Sequence, residues 1–220
     1  MPVIGFLHTA EIHVPAFRAL LAELAPDARD LHLVDATLLA NARDGLPYQE
    51  RLTARLAELA GGGAEVVVCT CSTIAGAAER LVPGVLRIDR PMIEQAVAHR
   101  RIGLVHALES ALAPARELLA ELGAGCEVVE LPCPAAWALF EAGDLAGYRA
   151  AVAAEVRAAA AGLDVAVLAQ ASMAPAAVLL ADLPLPVLAS PRPAVAAALA
   201  AAQLRAAGPA TSASPSSVRA

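Results

Sequence analysis

The chain has 220 residues, a formal net charge of −6 and 58% hydrophobic residues, with a mean hydropathy of +0.60. The acidic balance and the lack of a basic stripe argue against a nucleic-acid partner, because phosphate tracks need clustered Lys and Arg. The longest apolar stretch, 165–181, is interrupted by Gln170, Ser172 and Pro175. It falls short of the roughly 20 apolar residues that cross a bilayer, so no membrane partner is expected. No signal peptide is apparent at the N-terminus, and the four cysteines lack C-x-x-C or zinc-site spacing. A cytoplasmic protein with free thiols and no metal is therefore expected.

Taken in chain order, each half alternates short apolar runs with helical patterns. Val3–Leu7 reads as a strand, 15–24 as a helix and 31–34 as a second strand. Residues 48–59 read as a helix ended by Gly61-Gly62-Gly63. The continuous run Glu65-Val66-Val67-Val68-Cys69 predicts a strand buried on both faces. A helix over 73–81 and a strand over 85–88 follow. The second half predicts strands at 102–105, 127–131, 165–168 and 187–189, with helices at 114–122, 145–161 and 175–180, and a last helix at 193–206.

The two halves are copies. Ile4-Gly5-Phe6-Leu7-His8 returns 98 residues later as Ile102-Gly103-Leu104-Val105-His106, and Leu20-Leu21-Ala22-Glu23-Leu24 returns unchanged as Leu118-Leu119-Ala120-Glu121-Leu122. Alternating strands and helices in duplicate predict an α/β fold of two pseudo-symmetric Rossmann-like lobes. Each carries a mainly parallel four-stranded sheet. The division expected is 1–97 plus 190–207 for the first lobe, 98–189 for the second, and a disordered tail at 208–220 rich in Pro, Ser and Ala.

Ligands of open parallel sheets bind beyond the carboxyl ends of the strands. That rule selects His8 and Thr9, their copies His106 and Ala107, and the run Thr70-Cys71-Ser72-Thr73. In the third-strand register, Cys71 matches Gln170 and Thr73 matches Ser172, so one lobe offers a thiol where the other offers an amide. Cys71 precedes a predicted helix, whose N-terminus favours a thiolate and can lower its pKa. The same helix start, with Ser72 and Thr73, suits a carboxylate. Cys69 reads as core, and Cys126 and Cys133 as structural. Asp89 and Ser190 follow the fourth strands and are placed at the rim of the cleft.

On these residues the sequence resembles the aspartate/glutamate racemase superfamily, which includes hydantoin racemase, maleate isomerase and arylmalonate decarboxylase. Residues 66–73 are similar to the family's apolar strand and Cys-Asn-Thr, with Cys71 in the place of the first catalytic cysteine and Ser72 in that of the asparagine. Residues 165–170 are similar to the strand leading to the second cysteine, but Gln170 stands there instead. The resemblance implies a cofactor-independent proton transfer at a carbon next to a carboxylate, in a cleft between the lobes. Cys71 would be catalytic, and His8, Thr9, Ser72, Thr73, His106, Gln170 and Ser172 would bind a small carboxylate. A homodimer is common in the resembling family. Glutamine exchanges no proton at neutral pH, so one-sided chemistry of the isomerase, racemase-like or decarboxylase-like kind is expected in place of a two-thiol racemisation. Two other readings stay open: a non-catalytic binder of a small carboxylate, and a hydrolase acting through a cysteine thiolate.

Overall fold

The computed structural model describes residues 1–123 and 125–207. The tail expected to be disordered, 208–220, lies outside the described residues. Among the described residues eight strands form two parallel sheets: β1 (Val3–His8), β2 (Arg29–Val34), β3 (Val66–Cys69) and β4 (Leu86–Arg87) in the order β2-β1-β3-β4, and β5 (Arg101–His106), β6 (Glu127–Pro132), β7 (Val165–Leu168) and β8 (Val187–Ala189) in the order β6-β5-β7-β8. The duplication survives in the register. Ile4 pairs with Val66, and its copy Ile102 pairs with Val165. β3 and β7 are buried along their whole length, as continuous apolar runs between two covered faces require.

Among the described residues nine α-helices connect and cover the sheets: α1 (His13–Leu24), α2 (Ala36–Arg43), α3 (Gln49–Gly61), α4 (Ser72–Leu81), α5 (Arg90–Ala96), α6 (Glu109–Leu122), α7 (Pro134–Glu141), α8 (Leu145–Ala159) and α9 (Pro191–Ala207). The segment Ala171–Leu180, the counterpart of α4, is a 3₁₀-helix containing Pro175. Three helices went unread in the sequence: α2, α5 and α7. Each has only seven or eight residues, about two turns, too few for an apolar period to stand out. Their start signals are nevertheless present. Asp35 caps α2 by accepting from the Thr37 N–H, and Pro stands in the first turn of α5 and of α7.

The helix after each fourth strand crosses to the other sheet. Met92, Ile93 and Ala96 of α5 pack with Ile102, Leu104, Val165 and Val167 of the second sheet. Ala194, Val195 and Ala198 of α9 pack into the core of the first. The first-lobe segment 1–97 therefore has to be corrected: its last helix belongs to the second core. A parallel sheet needs both faces covered, and α5 and α6 cover the face of β5 and β7 that α8 and the 3₁₀-helix leave open. No described helix is long and apolar enough to cross a membrane.

The repeated glycine of β1 and β5 is explained by close approach. A Cβ on Gly5 would lie 2.8 Å from Ala64 Cβ, whereas one on Gly103 would lie 2.5 Å from Leu163 Cδ1. A leucine tip can rotate away, but an alanine Cβ cannot move without its backbone. Gly5→Ala is expected to destabilise the chain by about 1–3 kcal/mol through overpacking, and Gly103→Ala by less. Urea denaturation of the two variants side by side tests the order.

Candidate active site

The carboxyl ends of β1, β3 and β7 converge on a cavity between the sheets. Cys71 and Gln170 cap matching segments: Cys71 precedes α4 and Gln170 precedes the 3₁₀-helix. Thr9, Cys71, Ser72, Thr73, Gln170 and Ser172 all line this cavity, as do Thr70 and His13. Trp137 and Phe140 of α7 and Leu39 of α2 complete the lining. The Arg43 guanidinium of α2 lies 5.7 Å from the centre of the Trp137 ring and 3.3 Å from Glu141 Oε1, tying α2 to α7.

Several hydroxyls expected to hold a ligand already have partners. Ser72 Oγ donates to the Ala169 carbonyl at 2.8 Å, joining the two lobes at the cavity floor. Its hydroxyl proton is thus committed, a correction to its assignment as a carboxylate donor. Thr73 Oγ1 meets Ser110 Oγ at 3.3 Å across the lobes, and Ser172 Oγ meets the Tyr148 hydroxyl at 2.7 Å. Gln170 Oε1 accepts from the Ala107 and Leu108 N–H groups at 2.7 and 3.0 Å. With its oxygen so held, the amide NH2 is the end of Gln170 that remains for a ligand.

His8 and His106 do not line the cavity. His8 is fully buried and stacked on His32, with ring centroids 5.1 Å apart. Its Nδ1 is 2.8 Å from Thr70 Oγ1 and its Nε2 is 2.8 Å from His32 Nδ1. His106 is also buried, and its Nε2 has no hydrogen-bond partner among the described residues. Both histidines end strands whose last side chains turn into the core, so their assignment to substrate binding is corrected. Asp89 and Ser190 are likewise buried and not at a rim.

The electrostatics of Cys71 also differ from expectation. Burial pushes its thiol above the ordinary cysteine range, while the Thr9 hydroxyl and the amides of Thr73 and Ile74 at the start of α4 pull the other way. Desolvation outweighs the helix terminus and favours the neutral thiol. Iodoacetamide should label Cys71 more slowly at pH 7 than a free thiol, with a rate that rises through the alkaline range. A labelling rate already level below pH 7 would reverse this assignment. Cys69, fully buried, is pushed up as well, and burial pushes Cys133 to about 11.

The cavity measures about 50 Å³, room for a few waters. Beside it lies an apolar chamber of about 240 Å³ lined by Ile12, Phe17, Leu20, Leu145 and Pro175, with Arg149 also on its wall. The two share His13, Phe140, Ala171 and Ser172. Among the described residues no group of three His, Cys, Asp or Glu side chains is placed to hold a metal ion.

Solved structures share this arrangement of two lobes. An aspartate racemase from Picrophilus torridus superposes with a TM-score of 0.72 at 12% identity, over 92% of this chain and 95% of that one. The fold is that of the aspartate and glutamate racemases. An allantoin racemase from Klebsiella pneumoniae gives 0.68 at 22% identity, over 93% and 89% of the two chains. A glutamate racemase from Thermus thermophilus gives 0.67 at 21%, over 93% and 82%. No protein-family model matches the chain, and no curated protein does.

The racemase fold was legible in the repeat and in the residues around Cys71. Missing from that reading were His13, Ser110, Trp137, Phe140 and Tyr148. Trp137 and Phe140 arrive on α7, itself unread. Thr70 was quoted beside Cys71, but its link to His8 needs the β1–β3 register.

Proposed function

We propose that the chain is a divergent member of the aspartate/glutamate racemase superfamily, a cofactor-independent enzyme that delivers a proton from Cys71 to the carbon next to a carboxylate. The observation that carries this reading is the Cys71 thiol at the start of α4, lining the same cavity as the Gln170 amide. Gln170 has no acid or base to offer, so chemistry comes from one face. Loss of CO2 from a substituted malonate, or of a proton to another base, leaves an enediolate. The Cys71 S–H bond then breaks and its proton goes to the α-carbon. The thiolate left behind is held by the Thr9 hydroxyl and the Thr73 and Ile74 amides, which favour its charged form. The Gln170 NH2 is suited to the carboxylate. The adjoining apolar chamber suits a hydrophobic substituent better than a second carboxylate.

A panel of amino acids, hydantoins, maleate and aryl- or alkyl-malonates incubated in deuterated water tests the reading. Deuterium at the α-carbon of one compound, in one configuration, supports it. The second reading, a binder of a small carboxylate without turnover, is favoured by Gln170 and by the small size of the cavity. It predicts ligand-dependent stabilisation with no deuterium in any compound.

A further inference from the structure

Behind the cavity, a row of side chains runs outward from Thr70. Thr70 Oγ1 lies 2.8 Å from His8 Nδ1, His8 Nε2 lies 2.8 Å from His32 Nδ1, and His32 Nε2 lies 2.8 Å from Asp30 Oδ2. Arg18 Nε donates to the same Asp30 oxygen at 2.7 Å. One end of the row, Thr70, lines the cavity that holds Cys71. The His8 and His32 side chains are closed off from solvent, while Asp30 is 26% exposed at the side chain. The chain of short contacts is continuous from the cavity to the surface.

Hydrogen-bond accounting allows this row two complete states. In the neutral state the Thr70 hydroxyl donates to His8 Nδ1, His8 Nε2–H donates to His32 Nδ1, and His32 Nε2–H donates to Asp30. With one more proton, the Thr70 hydroxyl donates to the Leu7 carbonyl, which lies 2.9 Å away. His8 Nδ1–H then donates to Thr70, and His32, now an imidazolium, donates from Nδ1 to His8 and from Nε2 to Asp30. The two states differ by one proton on His32 and by the tautomer of His8, which stays neutral in both. Burial, reinforced by His32 and His13, lowers His8 to about 3, in keeping with that neutrality. The other ionisable groups on the row are His13 and Arg18 from α1 and Asp30 from β2.

We propose that Thr70, His8, His32 and Asp30 form a proton relay that exchanges protons between the Cys71 cavity and solvent. Inward delivery begins with His32 charged. The Thr70 O–H turns from the Leu7 carbonyl and gives its proton to a base in the cavity, the Cys71 thiolate under the function proposed above; the His8 Nδ1 proton replaces it, and the His32 Nδ1 proton moves to His8 Nε2. His32 ends neutral and the row ends in its neutral state. Outward transfer reverses these moves; the His32 Nε2 proton then goes to Asp30 and on to water, leaving His32 as its neutral Nδ1–H tautomer, which a proton returning from water through Asp30 to Nε2 charges again. Under the function proposed above, the relay restores the proton that Cys71 gives up. Its geometry stands apart from the identity of any substrate.

The test needs no ligand. The full chain, labelled with 15N-histidine, is titrated by NMR. As His32 becomes charged, the protonated nitrogen of His8 should change from Nε2 to Nδ1 while His8 remains neutral. Thr70→Val leaves the His8 Nδ1–H of the charged state without an acceptor, so His32 should become charged at lower pH than in the parent chain, and Thr70→Ser should restore the parent titration. A single His8 tautomer throughout the His32 titration overturns the relay, as does a His32 titration that Thr70→Val leaves unmoved. Neither result depends on turnover, so a failed relay and a failed assignment of Cys71 are distinguishable.

Discussion

Cys71→Ser is expected to lower turnover of the identified substrate by about 10²–10⁴-fold, the span typical of losing a positioned general acid. Serine keeps the size and the hydrogen bonds but holds its proton far more tightly than a thiol. The loss should fall on kcat, since the group proposed to hold the carboxylate, the Gln170 amide, remains. Deuterium incorporation in heavy water, followed by mass spectrometry, measures it directly. Turnover unchanged in Cys71→Ser would remove the thiol from the mechanism. Preserved ligand stabilisation without turnover in either protein would leave the binder.

The largest stability effect is expected at Asp89. Its carboxylate accepts from Arg87 Nε at 2.6 Å and Nη2 at 2.7 Å, and the two side chains are 2% and 4% exposed. Arg87 Nη2 also donates to the Pro114 carbonyl in α6 at 3.3 Å. The pair therefore sits where β4, α5 and α6 meet, at the crossing between the two cores. Asp89→Ala leaves a buried guanidinium without its carboxylate and should cost about 3–5 kcal/mol. Replacing both residues with leucine should cost much less, because no unpaired charge stays buried. Urea or thermal unfolding of the single and double variants measures the difference. Equal losses in the two would show that the charge is not what matters.

How much of this was readable depends on the range of the interactions involved. β7 and β8 fall where their apolar runs place them, and β3 differs by one residue. Local side-chain pattern suffices for a strand buried on both faces. Cys71 opposite Gln170 follows from the same pattern plus the repeat. The matched histidines show where such reasoning stops. His8 finds His32 across β2, but the position in β6 that corresponds to His32 is Glu130, paired with Leu104 in the register. The copies share a strand end and differ in what stands beside it, so one ring joins a network and the other keeps an Nε2 with no partner among the described residues.

By itself, then, the sequence determined the duplication, the two parallel sheets and the strand ends that carry Cys71 and Gln170. These depend on periodicity within a dozen residues and on comparison of the two copies. Tertiary structure decided the exchange of α5 and α9 between cores, the commitment of Ser72 to Ala169, the upward shift of the Cys71 thiol and the row from Thr70 to Asp30. Each of these depends on burial and on partners far along the chain. Thr70 and His8 are 62 residues apart, and Ser72 and Ala169 are 97 apart. Hydrogen-bond partners and desolvation at such separations exist only once the sheets have assembled.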